Sequence, residues 1–287
     1  MQREISFIEG EAIKEWHTLP SPNYQGNPPT IQGTGYKSVE VLGKLLNFDL
    51  NISPFKNTAC SSCHMPYVGF SGPIPSVNLT MIAYPGTFHY RAGKRTAQRY
   101  TYSPDFPVLE FNFTQSMPGQ TATFFGGNFW DARSTGYKLQ SADAEQAQHP
   151  PVDTQEMGFP DTACIAFRLS TAVYRQLFEN VWGDSFTIHW PPITEKICDT
   201  PGGAAKFGGN PTPVPLSSDD RTKANNIYDH WGQSISFYER SNRLSPFSSK
   251  FDAFLASKAS LTADEMAGYK LFNGKGNCNS CHLDGLS

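Results

Sequence analysis

Cys60-Ser61-Ser62-Cys63-His64 and Cys278-Asn279-Ser280-Cys281-His282 repeat one five-residue pattern, C-x-x-C-H, and nothing else in the chain restricts its chemistry as strongly. Cysteines at i and i+3 lie on one face of a helical turn. From there they can form thioethers to the two vinyl groups on one edge of a porphyrin, and the next residue then aims an imidazole at the iron. A zinc site could join the two cysteine pairs, but zinc does not call for a histidine directly behind each pair. A thioredoxin-type pair belongs at a strand-to-helix junction, and neither unit follows a β-rich run. The reading is two covalent haem c groups, attached through Cys60, Cys63, Cys278 and Cys281, with His64 and His282 as proximal iron ligands. Haem c is attached on the oxidising side of a membrane, which places the chain in the periplasm. There Cys164 and Cys198 can form a disulfide or stay as two buried thiols.

The chain has 287 residues, enough for one large domain or two ordinary ones. A net charge of −3 argues against nucleic-acid binding and against a general anionic-membrane partner. No run approaches the roughly 20 apolar residues of a membrane helix, so the chain is not expected to be transmembrane. The opening MQREISFIEGEAIKEW lacks the apolar stretch of a signal peptide, so export implies a signal removed from this sequence.

Periodicity points to a mainly α fold, with two cytochrome-c-like haem domains carrying long irregular loops and insertions. Residues 1–37 read as a polar, Pro- and Gly-rich arm. Residues 38–49 place Val39, Leu42, Leu45 and Leu46 on one helical face ahead of the first C-x-x-C-H unit. From about 69 to 127 the sequence is loop-like, and an irregular stretch of that length is usually functional. A helix is expected over 161–182, with Leu169, Val173, Leu177 and Val181 repeating every four residues. A Gly/Pro/Ser insert covers 199–218. Helices follow at about 219–240, 248–257 and 262–273, the last opened by a Thr262-x-x-Glu265 capping box. This gives a first haem domain over 38–218 and the start of a second, apparently incomplete, over 219–287.

Three blocks resemble the bacterial di-haem cytochrome c peroxidases: LGKLLNFDLNISPFKNTACSSCHMPYVGFSG, FWDARSTG followed by EQAQHPPVDTQEMGF, and SFYERSNRLSPFSSKFDAFLASKASLTADEMAGYKLFNGKGNCNSCH. They cover about half the chain in the family's order. The resemblance implies that Trp130 relays electrons between the haems, that Glu156 is the distal carboxylate of the peroxide-binding haem, and that Gln146 is its polar companion, ten residues before it. It implies hydrogen peroxide as oxidant and a small cytochrome c or copper protein as electron donor. The same family includes enzymes that oxidise a partner protein or an organic substrate instead, such as those that mature a tryptophan-derived quinone in methylamine dehydrogenase. A non-catalytic electron carrier is a third reading. Relatives are often homodimers.

Departures from the family pattern accompany the match. His89, in GTFHYRAGKR, lies near the position of a removable histidine ligand, but its flanks match poorly. Thr96 stands where an asparagine is expected beside a calcium ion between the haems, so calcium is doubtful. Only LDGLS follows His282, too little to cover the far face of the second haem; either the chain is a fragment, the favoured expectation, or another chain completes the pocket.

Overall fold

The structure, a computed structural model, describes residues 37–72, 84–93, 95–112, 123–203, 212–280 and 282. These divide into two compact units, one ending at Ser245 and one beginning at Pro246.

In the first unit α1 (Ser38–Phe48) is buried along nearly its whole circumference, with Val39, Val41, Leu42, Leu45, Leu46 and Phe48 all inside. It lies against α7 (Ser218–Glu239), the longest described helix. α7 begins where the Ser217 hydroxyl accepts the Asp220 amide, and Asp219 and Asp220 favour its positive N-terminus. Ala224, Ile227, Trp231, Ile235 and Tyr238 form the inward stripe of α7 at helical spacing. The contact is close because Gly43 faces it: a Cβ there would lie 2.0 Å from the Ser234 carbonyl oxygen. α3 (Ala142–Ala147) and α4 (Ala163–Ser170) pack on the same helix. α7 is thus the central support of the first unit. The boundary expected at 218/219 falls at its N-terminus, whereas the compact unit continues to Ser245 because the apolar face of α7 is buried against α1, α3 and α4.

The helix expected over 161–182 is two helices, α4 and α5 (Arg175–Trp182). The Ser170 and Thr171 hydroxyls turn back onto the Phe167 and Arg168 carbonyls, competing with the helical ladder. Val173, placed on the apolar face by periodicity, is 66% exposed, while Tyr174 turns inward and hydrogen-bonds Asp49. An antiparallel pair, β1 (Glu110–Asn112) with β2 (Thr123–Phe125), lies in the stretch read as loop-like, and a short helix, α6 (Thr194–Cys198), lies just before the Gly/Pro/Ser insert. Cys198 pairs with Cys164 in a disulfide that ties α6 to α4. α2 (Cys60–Cys63) is a single turn above a small core of Phe48, Leu50, Ala59, Tyr100, Tyr238 and Leu244.

The second unit contains α8 (Lys250–Leu255) and α9 (Ala263–Asn273), each opened by a capping box. Phe251, Phe254 and Tyr269 cluster between these helices, and Lys250 pairs with Glu265 at 2.5 Å.

Candidate haem site and peroxide cleft

Residues 58–64 build the first attachment turn from local bonds. The Ser62 hydroxyl accepts the Ala59 amide at 3.1 Å, and the His64 amide donates to the Cys60 carbonyl at 2.9 Å. This closes one helical turn and puts Cys60 and Cys63 on the same side. Burial pushes both thiols up to about 12, with Glu239 nearby reinforcing the shift at Cys60 and Glu156 at Cys63. Such groups remain thiols at neutral pH, unlike the activated thiolates of redox pairs.

His64 Nδ1 lies 3.0 Å from the Phe70 carbonyl, which can only accept, so the proton sits on Nδ1 and Nε2 is the nitrogen that can bind iron. Burial lowers the His64 pKa, against the opposing pull of the Phe70 and Gln98 carbonyls, and so favours the neutral imidazole that a metal requires. The Tyr100 ring lies 4.8 Å from the His64 ring, and its hydroxyl donates to Asn47 at 2.9 Å, which holds it in place. A neutral, oriented imidazole beside two cysteines on one turn is the donor set that haem c requires.

A cleft of about 390 Å³ opens beside this turn, within the roughly 300–1,000 Å³ typical of cofactor and ligand sites. Cys63, His64, Trp130, Gln146 and Glu156 all line it. They arrive from separate elements. Gln146 projects from α3, whose N-cap is the Ser141 hydroxyl. Glu156 sits in a tight loop: its amide donates to Asp153 O at 3.1 Å, the Met157 amide to Pro150 O, and its own carbonyl accepts from the Thr87 amide at 2.8 Å. Gly86 allows that last approach, since a Cβ there would lie 2.1 Å from the Glu156 carbonyl oxygen. Burial raises the Glu156 carboxyl from 4.5 to about 7; Asp153 adds to the rise and Arg133 opposes it.

Trp130 occupies the tip of a turn closed by the Asn128–Ser134 bridge, with Phe129 and Ala132 at positive φ, and is 71% exposed. Arg133 lies 3.5 Å over the Phe129 ring and pairs with Asp131 at 2.8 Å, fixing the base of that turn.

A smaller cavity of about 40 Å³ adjoins the attachment turn, lined by Cys60, Tyr100, Gln146, Glu156 and Glu239 among others. Tyr84, Arg95, Tyr100, Arg133 and Asp153 also line the cleft, and no sequence signal marks them. Most come from the segment read as loop, where no periodicity marks an inward side chain. Thr96 lines the cleft as well, whereas His89 is exposed in the 85–92 turn and does not line it.

The second unit repeats the attachment turn: the His282 amide donates to the Cys278 carbonyl at 2.9 Å. Cys278 and His282 are exposed, and Cys281 lies outside the described residues.

Residues 37–260 match the family model described as di-haem cytochrome c peroxidase. The methylamine utilization protein MauG of Paracoccus denitrificans is 25% identical over 86% of this chain and 51% of its own length. The cytochrome-c peroxidase IdrP1 of Denitromonas iodatirespirans is 23% identical over 92% of this chain and 50% of its own length. The chain thus spans about half the length of the curated relatives it matches. Among solved structures, the di-haem peroxidase BthA of Burkholderia thailandensis aligns with a TM-score of 0.60 at 23% identity, covering 92% of this chain and 53% of BthA. A single-residue variant of BthA gives 0.62. These structures share the fold, and with two C-x-x-C-H units the chain has two haem c groups as its cofactors. The match to the family model extends over more than three quarters of the sequence: the chain belongs to the di-haem cytochrome c peroxidase family.

Proposed function

We propose that this chain carries the peroxide-reacting site of a periplasmic di-haem oxidoreductase, at the haem held by Cys60, Cys63 and His64. The observation that carries this reading is Glu156: a carboxyl raised to about 7 by burial, lining the same cleft as His64. Hydrogen peroxide takes up two electrons and two protons to become two waters. Heterolytic O–O cleavage needs a proton moved from one oxygen to the other, and a carboxyl titrating near neutral pH can both accept and return it. The bound haem iron supplies the redox change. Glu156 then moves the proton, the Gln146 amide offers a hydrogen bond to a small polar ligand, and Trp130 gives an oxidisable ring at the cleft mouth. Electrons come from a small cytochrome or copper protein, through the haem at Cys278, Cys281 and His282.

A second reading keeps the same cleft and has it oxidise a partner protein. It is favoured by the exposed aromatic rings of Trp130, Phe111, Phe124 and Phe125 on the first unit. Peroxide added to the haem-loaded protein, followed by turnover with a reduced small cytochrome, separates the readings. Rapid turnover supports the peroxidase. A haem that reacts with peroxide without cytochrome turnover favours the partner-oxidising enzyme. Two haem spectra untouched by peroxide would leave an electron carrier.

A further inference from the structure

The Glu156 carboxyl accepts no hydrogen bond from any described residue, so its place in the cleft is set by its backbone. That backbone is held by a neighbouring turn, residues 85–92. The turn is closed by the Pro85–Ala92 bridge and by the Gly86 amide, which donates to the Arg91 carbonyl at 3.0 Å. It grips the Glu156 loop at two points. The Thr87 amide donates to the Glu156 carbonyl at 2.8 Å, and Arg91 Nη1 donates to the Thr154 carbonyl at 3.0 Å. The same Nη1 donates to the Gly202 carbonyl at 2.8 Å, which fixes the guanidinium from a third segment.

The turn is itself anchored to the segment that carries the first attachment cysteine. Asn57 lies three residues before Cys60 and holds Thr87 with both ends of its amide. Asn57 Nδ2 donates to the Thr87 carbonyl at 3.0 Å, and Asn57 Oδ1 accepts from the Thr87 hydroxyl at 2.6 Å. Thr87 is 3% exposed. Asn57 is fixed in turn: its amide and that of Thr58 both donate to the Ser53 hydroxyl at 3.1 Å, and the Thr58 hydroxyl donates to Asn57 Oδ1. An unbroken series of hydrogen bonds thus runs from the attachment segment through Asn57 and Thr87 to the Glu156 backbone. We propose that Asn57 and Thr87 are positioning residues for Glu156: their clasp sets how far its carboxyl stands from the haem held by Cys60, Cys63 and His64. A proton passes only across hydrogen-bond distance, about 2.6–3.2 Å, so a small shift of the loop is enough to slow the transfer. The inference rests on the peroxide reading of the cleft and adds what keeps its acid/base group within reach.

The test uses the haem-loaded full chain and two readouts. One is the rate of its reaction with peroxide. The other is the C–O stretching band of carbon monoxide bound to the reduced first haem, which senses nearby polar groups without any proton transfer. Thr87→Val keeps the shape and the backbone amide but loses the hydroxyl. It should slow the peroxide reaction by about 10- to 100-fold, the scale expected when a reacting group is displaced by a fraction of an ångström to an ångström. It should also move the C–O band, as Glu156→Gln does. Thr87→Ser keeps the hydroxyl and loses the methyl, and should restore both readouts; a packing role alone would make Ser the worse replacement. Asn57→Ala opens the clasp from the other side and serves if Thr87→Val does not fold. Combined with Glu156→Gln, it should be no slower than Glu156→Gln alone. A further loss in that double variant would place the defect in the haem pocket at large and overturn the proposal. A wild-type rate and band in Thr87→Val or Asn57→Ala, with Glu156→Gln slow, would overturn it too and leave the peroxide reading standing. Glu156→Gln reacting like wild type would overturn the peroxide reading and this inference together.

Discussion

The two C-x-x-C-H units close the same backbone turn, with His64 N to Cys60 O and His282 N to Cys278 O both at 2.9 Å, but their surroundings differ. Around the first unit, Thr58, Ala59, Ser61, Ser62 and Met65 are buried, and Glu156, Gln146 and Trp130 converge on the adjoining cleft. No described residue from 246 onward is buried. The five-residue pattern therefore accounts for the shared turn and not for the groups around it. Whether a bound haem also meets an acid/base group depends on side chains brought from elsewhere in the sequence: Trp130, Gln146 on α3 and Glu156 in the loop after α3 lie 66, 82 and 92 residues beyond His64.

Changes confined to one unit should separate these roles. The largest effect is expected for Glu156→Gln, which should slow the reaction of the haem-loaded protein with peroxide by about 10²–10⁴-fold in stopped-flow absorbance. Glu265→Gln, in the second unit, should leave that rate unchanged. Next, Cys164→Ser opens a disulfide spanning 34 residues and should destabilise the first unit by about 3 kcal/mol in denaturant unfolding. Gly43→Ala places a methyl against the Ser234 carbonyl and should cost about 2 kcal/mol by overpacking the α1–α7 contact. The smallest effect belongs to the second unit: Thr262→Ala removes the hydroxyl that accepts the Glu265 amide and should weaken α9 by about 1 kcal/mol, read by hydrogen exchange of that helix with the first unit unaffected.

Glu156 also imposes a pH dependence on stability. Its carboxyl titrates near 4.5 when unfolded and near 7 in the fold. Between these values the folded chain retains a proton that the unfolded chain has released. The contribution of Glu156 to stability therefore falls as pH rises through that window and is constant above it. Glu156→Gln should remove this slope in unfolding midpoints measured from pH 4 to 8.

The helices at 38–48, 218–239 and 263–273 could be read from the sequence, because apolar spacing and, for the last, a capping box mark them. The break at Thr171–Tyr174 could not, because the four-residue apolar repeat runs straight through it and only hydroxyl back-bonding interrupts the helix. β1, β2 and α6 are too short to give a periodic signal. At the site, the two C-x-x-C-H units are legible from spacing, whereas Trp130, Gln146 and Glu156 were drawn from family resemblance. Tyr100 lies in a loop with no pattern.

The central claim is that Glu156 is the acid/base of a peroxide-reacting haem. Its most direct test is the rate of peroxide reaction against pH, for haem-loaded wild type and Glu156→Gln. The wild-type rate should change around pH 7, and the variant should be slower with that inflection gone. A variant that keeps both the rate and the inflection would contradict the claim.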